Sequence, residues 1–245
     1  MFAVILAVAA FFIDRVPQDA TYHQFADSRT IFGVSNFWNV FSNFGFLVSG
    51  SLGLWYLRNR DQPGIVDKIY PAYIILFAGV IATGIGSASY HLSPDNASLV
   101  WDRLTMTIVF MAFFTIVIGE HVCDTSARRL LIPLLIAGAA SVFYWQYTES
   151  VGTGDLRPYA LVQFLPIVMI PMILIGYRST FGSSRIFWVI ILLYVISKLL
   201  ELLDQDIYQV GGLISGHSLK HVVSAIAPLV LWYSMTQRRP VEDDA

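Results

Sequence analysis

Apolar residues run along this chain in long unbroken stretches, separated by short clusters of charge, proline and glycine. Seven stretches are long enough to cross a bilayer, at roughly 36–57, 69–91, 102–120, 130–148, 158–177, 185–203 and 213–236, since a spanning helix needs about 20 mostly apolar residues. They are apolar on every side rather than at every second residue, which argues against a membrane barrel. The connections are short, as in Arg58-Asn59-Arg60-Asp61-Gln62-Pro63-Gly64, and no repeat, low-complexity tract or linker divides the chain. The pattern predicts an all-α membrane protein forming a single integral domain over 1–245. A seven-transmembrane-helix core occupies 36–236, with a short extra N-terminal hydrophobic helix at 1–13 and a tail at 237–245. Pro166 and Pro171 in the fifth stretch predict a bend, tolerated in membranes because neighbouring groups satisfy the freed carbonyls.

Composition adds the solvent and the orientation. Hydrophobic residues make up 56% of the 245 and charged residues only 13%, about half the share in soluble domains. So little charge cannot cover a soluble enzyme, and a net charge of −2 lacks the basic surplus of a nucleic-acid binder. A single cysteine, Cys123, excludes an intrachain disulfide framework and a cysteine zinc ribbon. On the seven-stretch topology, Arg58, Arg60, Lys68, Arg128, Arg129, Arg178, Arg185, Arg238 and Arg239 lie on one side, and Arg15, Arg29, Arg103 and Arg157 on the other. The richer side is expected to be cytoplasmic, which puts the C-terminus inside and the segment 14–35 outside.

Ionisable groups in spanning helices are costly and need a reason. Ser87 and His91 end the second stretch, Asp102 begins the third, and His217 and His221 begin the seventh, all at the non-cytoplasmic end. His217 and His221 are four apart, so they share a helix face about 6 Å apart along the axis. Ser87 and His91 have the same relation on another helix. Three imidazoles match the ligand set of a catalytic zinc, which keeps its fourth position for water. Asp102 has the chemistry to accept a proton and return it to a leaving amine, and Ser87 to donate a hydrogen bond to a developing oxyanion. Interfacial hydrogen bonding is the alternative role for each histidine, and contact between the second, third and seventh helices decides between the two.

Other polar residues receive simpler expectations. His121, next to Glu120 at the opposite end, is expected at a surface, and His23 in a structural lid. Asn36, Asn39 and Asn43 form a polar stripe suited to interhelical hydrogen bonds. Lys198, Glu201 and Asp204 are expected to compensate one another's charge, with support of the site as the alternative. Trp101, Trp145, Tyr147, Trp188 and Trp232 suit an interfacial aromatic belt.

Phe37-Trp38-Asn39-Val40-Phe41-Ser42-Asn43, the Ser87–His91 pair with Trp101-Asp102-Arg103-Leu104-Thr105-Met106, and the His217–His221 pair occur in an order that resembles the alkaline ceramidases. These are seven-helix membrane amidases in the CREST superfamily, which also holds the adiponectin and progestin receptors. The resemblance covers roughly 20–236, and the compact form looks like bacterial members. It implies zinc held by His91, His217 and His221, catalytic roles for Asp102 and Ser87, and hydrolysis of ceramide or a related N-acyl lipid to a fatty acid and a sphingoid base. It also implies a calcium site before the first span, where Asp27 and Asn36 match two positions but Tyr22 and Phe25 stand where carboxylates are expected. Thr105 replaces the family's proline. The partner implied is a membrane lipid, with no nucleic acid or protein partner. The rival reading is a receptor or sensor whose zinc is largely structural, for which the short cytoplasmic connections offer little docking surface.

Overall fold

The computed structural model describes residues 12–59 and 64–241. The helix expected at 1–13 therefore lies outside the described residues except for Phe12 and Ile13. Apart from an isolated bridge between Ile31 and Val34, the regular structure of the described residues is entirely helical, without strands. The α-helices are α1 (Phe37–Phe41), α2 (Phe44–Arg58), α3 (Tyr70–Leu92), α4 (Asn96–His121), α5 (Asp124–Ser150), α6 (Arg157–Gly176), α7 (Arg185–Leu202), α8 (Asp204–Gly211) and α9 (Gly216–Gln237).

Five stretches are long and apolar enough to cross a membrane: Phe37–Arg58, Asp67–Leu92, Asn96–His121, Asp124–Ser150 and Arg157–Gly176. A sixth is α7 taken with α8, which bend 72° from one another. The 22 residues of α9 match a span in length, but His217, Lys220, His221 and its serines make it less apolar than those five. The structure thus gives five to six candidate crossings where the sequence pattern predicts seven.

Local chemistry explains the helix boundaries. Asp95 and Ser98 form a reciprocal capping box at the start of α4, satisfying donors that a helix leaves unpaired. Ser215 caps α9 by accepting from Ser218 N. Pro71 and Pro158 sit in the first turns of α3 and α6, where a missing N–H removes no ladder bond. The helix α6 continues unbroken through Pro166 and Pro171.

The bundle pairs α3 with α4, α4 with α5, α7 with α9, and α2 with both α3 and α9. A buried core that includes Tyr73, Phe77, Ile116, Phe187, Leu231 and Met235 holds the end away from the histidine pair. That end is also tied by charge. The buried Glu120 carboxylate accepts from Arg238 Nη2 at 2.6 Å, Arg238 Nη1 at 2.9 Å and the Tyr73 hydroxyl at 2.6 Å. His121 is buried here rather than at a surface as expected, because Val117 O at 3.1 Å and Ser184 Oγ at 2.9 Å engage both its ring nitrogens. At the other end the segment before α1 folds over the helices and covers the histidines.

Candidate metal centre and its cavity

Three helices deliver the expected residues to one place. Ser87 and His91 come from the last turns of α3, Asp102 from the first turns of α4, and His217 and His221 from the start of α9. All five are buried. A Cβ on Gly86 would lie 2.8 Å from the Trp101 carbonyl oxygen, so only glycine lets α3 and α4 approach this closely beside Ser87 and Asp102. Gly216 plays the same part for α9, since its Cβ would lie 2.9 Å from Asp204 Cα.

The three imidazoles form a near-equilateral triangle, with ring centres 4.8, 4.9 and 4.9 Å apart. Each offers a nitrogen within 4.8 Å of the others, and among the described residues this is the one group of three or more histidine, cysteine or acidic side chains so arranged. His91 Nε2 and His217 Nε2 are 3.2 Å apart. Two nitrogens bound about 2.0–2.1 Å from a tetrahedral zinc stand roughly 3.3–3.4 Å apart, so the donor set fits that ion. Contact between the helices, left open by the spacing alone, therefore exists.

Neighbouring groups hold the ligands. Ser42 Oγ donates to Asn39 O at 3.2 Å and lies 2.9 Å from His221 Nδ1, so its oxygen accepts from that ring and leaves Nε2 facing the centre. Asp204 accepts from the backbone N–H of His217 at 2.7 Å and from that of Ala26 at 3.0 Å. Phe25, from the covering segment, packs its ring 4.6 Å from His91 and 4.7 Å from His217. His23 stands apart from the centre, engaged by the Tyr90 hydroxyl and Asn96 Oδ1 at 2.9 and 3.0 Å. The asparagine stripe joins helices: Ser218 Oγ donates to Asn39 Oδ1 at 2.6 Å and Asn36 Nδ2 to His91 O at 2.8 Å.

Asp27 is buried and takes a two-pronged contact from Arg29, Nε at 2.8 Å and Nη2 at 2.7 Å. Burial opposes its ionisation, but the hydrogen bonds and charge of Arg29 outweigh that and hold the carboxyl below its ordinary 3.8. Its charge is thus already compensated. Asn36, the other calcium candidate, spends its amide on the His91 carbonyl.

Beside the triangle opens a cavity of about 370 Å³ whose walls come mainly from α3, α4, α6, α7 and α9. Ser87, Asp102 and His221 lie at its polar head, while Leu76, Ile170, Ile190 and Leu231 line its apolar depth. The sequence reasoning missed three residues here. Ser42 would have been found by asking which hydroxyl on the first stretch could face an imidazole. Lys220, between the two histidines, pairs with Glu201, which also takes Lys198 at 2.6 Å. An acid near the end of the sixth stretch opposite a lysine at the start of the seventh was the available signal. Arg103 was counted only for topology, yet it is buried over the Trp145 and Tyr159 rings at 4.1 and 4.7 Å, a cation–π arrangement. Asp204, grouped with Lys198 and Glu201 by spacing, instead braces His217.

A helical multi-pass membrane protein with a buried three-histidine centre at the head of an apolar cavity is the class that this architecture defines. A family model described as ceramidase matches residues 29–238, and the chain belongs to that family. No curated protein gives a significant match to the sequence.

Proposed function

We propose that this protein is a zinc-dependent intramembrane amidase, hydrolysing ceramide or a related N-acyl lipid to a fatty acid and a free amine. The observation that carries the reading is the convergence of His91, His217 and His221 at the head of a cavity whose polar wall holds Ser87 and Asp102. His91, His217 and His221 would hold the zinc, which would supply Lewis-acid activation of water near neutral pH. Asp102 accepts the proton of the attacking water and returns it to the departing nitrogen. Ser87 donates to the carbonyl oxygen as negative charge develops there. The acyl chain lies along the apolar depth, which orients the amide beneath Asp102. The presence of Ser87 and Asp102 on the wall of a substrate-sized cavity favours this reading over a receptor whose zinc is largely structural.

Entry from the side of the bundle is supported by the helix packing. The neighbours α6 and α7 scarcely touch, and a hydrogen bond of 3.1 Å from Gln163 Nε2 to the Tyr194 hydroxyl bridges them. Phe164 lines the cavity yet is 48% exposed, so the cavity wall continues to the outer surface. In a bilayer, α9 serves as the seventh crossing, and the basic-residue asymmetry puts the metal centre on the non-cytoplasmic side. Calcium is left out of the proposal, because Arg29 already neutralises Asp27.

Metal analysis of the purified protein, paired with fatty-acid release from a mixed N-acyl lipid extract, tests the reading. About one zinc per chain and release that disappears in His217→Ala and Asp102→Asn, with both variants still folded, is the expected result. A zinc-loaded protein that releases no fatty acid from any lipid amide would refute it.

A further inference from the structure

The cavity has one depth on each of five walls. Its lining residues fall within 76–87 on α3, 102–113 on α4, 159–170 on α6, 190–201 on α7 and 220–231 on α9. On every one of these helices the two ends are eleven residues apart, about 16 Å at the helical rise of ~1.5 Å per residue. That is roughly one leaflet of the ~30 Å hydrocarbon core. One turn beyond the deep ends, Tyr73, Ile116, Ile173, Phe187 and Met235 are buried in the packed core, and none of them lines the cavity. The Phe187 ring lies 5.8 Å from that of Phe113, the last lining residue of α4, and interiors packed in this way yield little. The opening between α6 and α7 is higher up. Half-exposed Phe164 stands five residues past Tyr159, about 7–8 Å below the head, whereas Ile170 and Ile190 at the deep end are buried. Among the described residues the cavity is therefore a blind tube, open at its side and closed at its foot.

An alkyl chain gains little by moving from lipid into an equally apolar cavity, so fit rather than burial decides which chains are accepted. A C–C single bond of about 1.5 Å at the tetrahedral angle advances an extended chain by ~1.25 Å. From a carbonyl carbon at the head, about 13 such bonds reach the foot. We infer that the cavity is an acyl-chain ruler, which accepts straight acyl chains of up to about 14 carbons and has Phe113 and Phe187 as its stop. This rests on the amidase reading above and adds the chain class of its substrate. A longer chain has to fold back toward the α6–α7 opening, past carbons that already fill the tube.

A saturated acyl series on one amine makes the test: the octanoyl, dodecanoyl, tetradecanoyl, octadecanoyl and eicosanoyl amides of sphingosine. The zinc-loaded protein is assayed in lipid nanodiscs, with substrate expressed per lipid. From the tetradecanoyl to the eicosanoyl amide kcat/KM should fall at least ~10-fold, since one misfitting methylene in an apolar pocket already costs about 10-fold or more. Ala227 lines the tube seven residues past Lys220, about 10 Å down. Ala227→Phe fills open space rather than core and should lower the limit to about 8 carbons, so that the octanoyl amide overtakes the tetradecanoyl one. Phe187→Ala should raise the eicosanoyl rate relative to the tetradecanoyl rate. If that variant does not fold, the parent profile and Ala227→Phe still decide. A smaller fall in the parent, or a limit that Ala227→Phe leaves in place, overturns the ruler and leaves the amidase reading standing. A limit that follows the length of the amine's alkyl chain, with acyl length immaterial, overturns the acyl assignment. Cleavage of no amide at all overturns both readings together.

Discussion

Ser42→Ala is expected to weaken zinc binding without touching a ligand. The Ser42 hydroxyl gives its hydrogen to Asn39 O at 3.2 Å, so at 2.9 Å from His221 Nδ1 it is placed to accept. That contact fixes the proton on Nδ1 and keeps the Nε2 lone pair for metal. The neighbouring Asn43 Nδ2, 3.4 Å from the same nitrogen, is itself a donor and already serves Asn39 O at 2.7 Å, so it cannot take over. Loss of such a partner typically lowers metal affinity about 10–100-fold, which is about 1.4–2.7 kcal/mol. The assay is competition for zinc against a fluorescent chelator, with the protein in nanodiscs. Ser49→Ala is the control: among the described residues this buried hydroxyl bonds only to Phe46 O, at 3.3 Å, in the same helix, and its removal should leave zinc affinity unchanged. A Ser42→Ala affinity within twofold of the parent, with Ser49→Ala equally inert, would refute the assigned tautomer and the role given to Ser42.

Cysteines replacing Gln163 and Tyr194, joined by a short thiol crosslinker across the α6–α7 gap, should slow release of long-chain fatty acid, and a cleavable linker should restore it; undiminished release would rule out this entry route. Arg238→Ala leaves the buried Glu120 carboxylate without its cation, a change that typically costs about 3–5 kcal/mol. It should lower the melting temperature measurably, and Glu120→Gln in the same chain should recover part of the loss. Asp155 is buried and held by Arg157 at 2.7 Å, whose hydrogen bonds lower its carboxyl from 3.8 to about 2 despite burial. A depressed carboxyl stabilises the fold above its unfolded value and loses that contribution as pH falls through the folded value. A melting series from pH 5 to about 2 should therefore show a decline of order 1–2 kcal/mol that Asp155→Asn largely removes.

How far the fold could be read from sequence depends on what ends a helix. Charge marks where a chain leaves hydrocarbon, not where it stops being helical, so the stretch expected at 130–148 is a helix over Asp124–Ser150 that includes Arg128 and Arg129. The third stretch begins earlier than expected for a related reason: Asp95 caps it in the polar zone, ahead of the apolar run. The first stretch is found as expected over Phe37–Arg58 but is interrupted within its length. Asn43 turns its amide back onto Asn39 O and Ser42 turns its hydroxyl onto the same carbonyl, and side chains that bond their own backbone compete with the helical ladder. The break between α1 and α2 results, and it brings Ser42 to His221. The short α8 has the eight residues Asp204–Gly211, too few for any pattern of apolar stretches to reveal.

The site follows the same logic, at greater range. The spacing of His217 and His221 is local and therefore visible, because one helix carries both. His91 reaches them because Gly86 and Gly216 let backbones pack where a Cβ would lie only 2.8 and 2.9 Å from its neighbour, and packing of that kind leaves no periodic trace in sequence. Pairing is harder still. Glu201 sits three residues from both Lys198 and Asp204 on a helical count, which suggests internal compensation. The 72° bend after α7 instead directs Asp204 to the backbone of His217 and leaves Glu201 to serve two lysines. The brace on a metal ligand therefore arises from tertiary geometry acting on a residue whose spacing alone predicts a partner on its own helix.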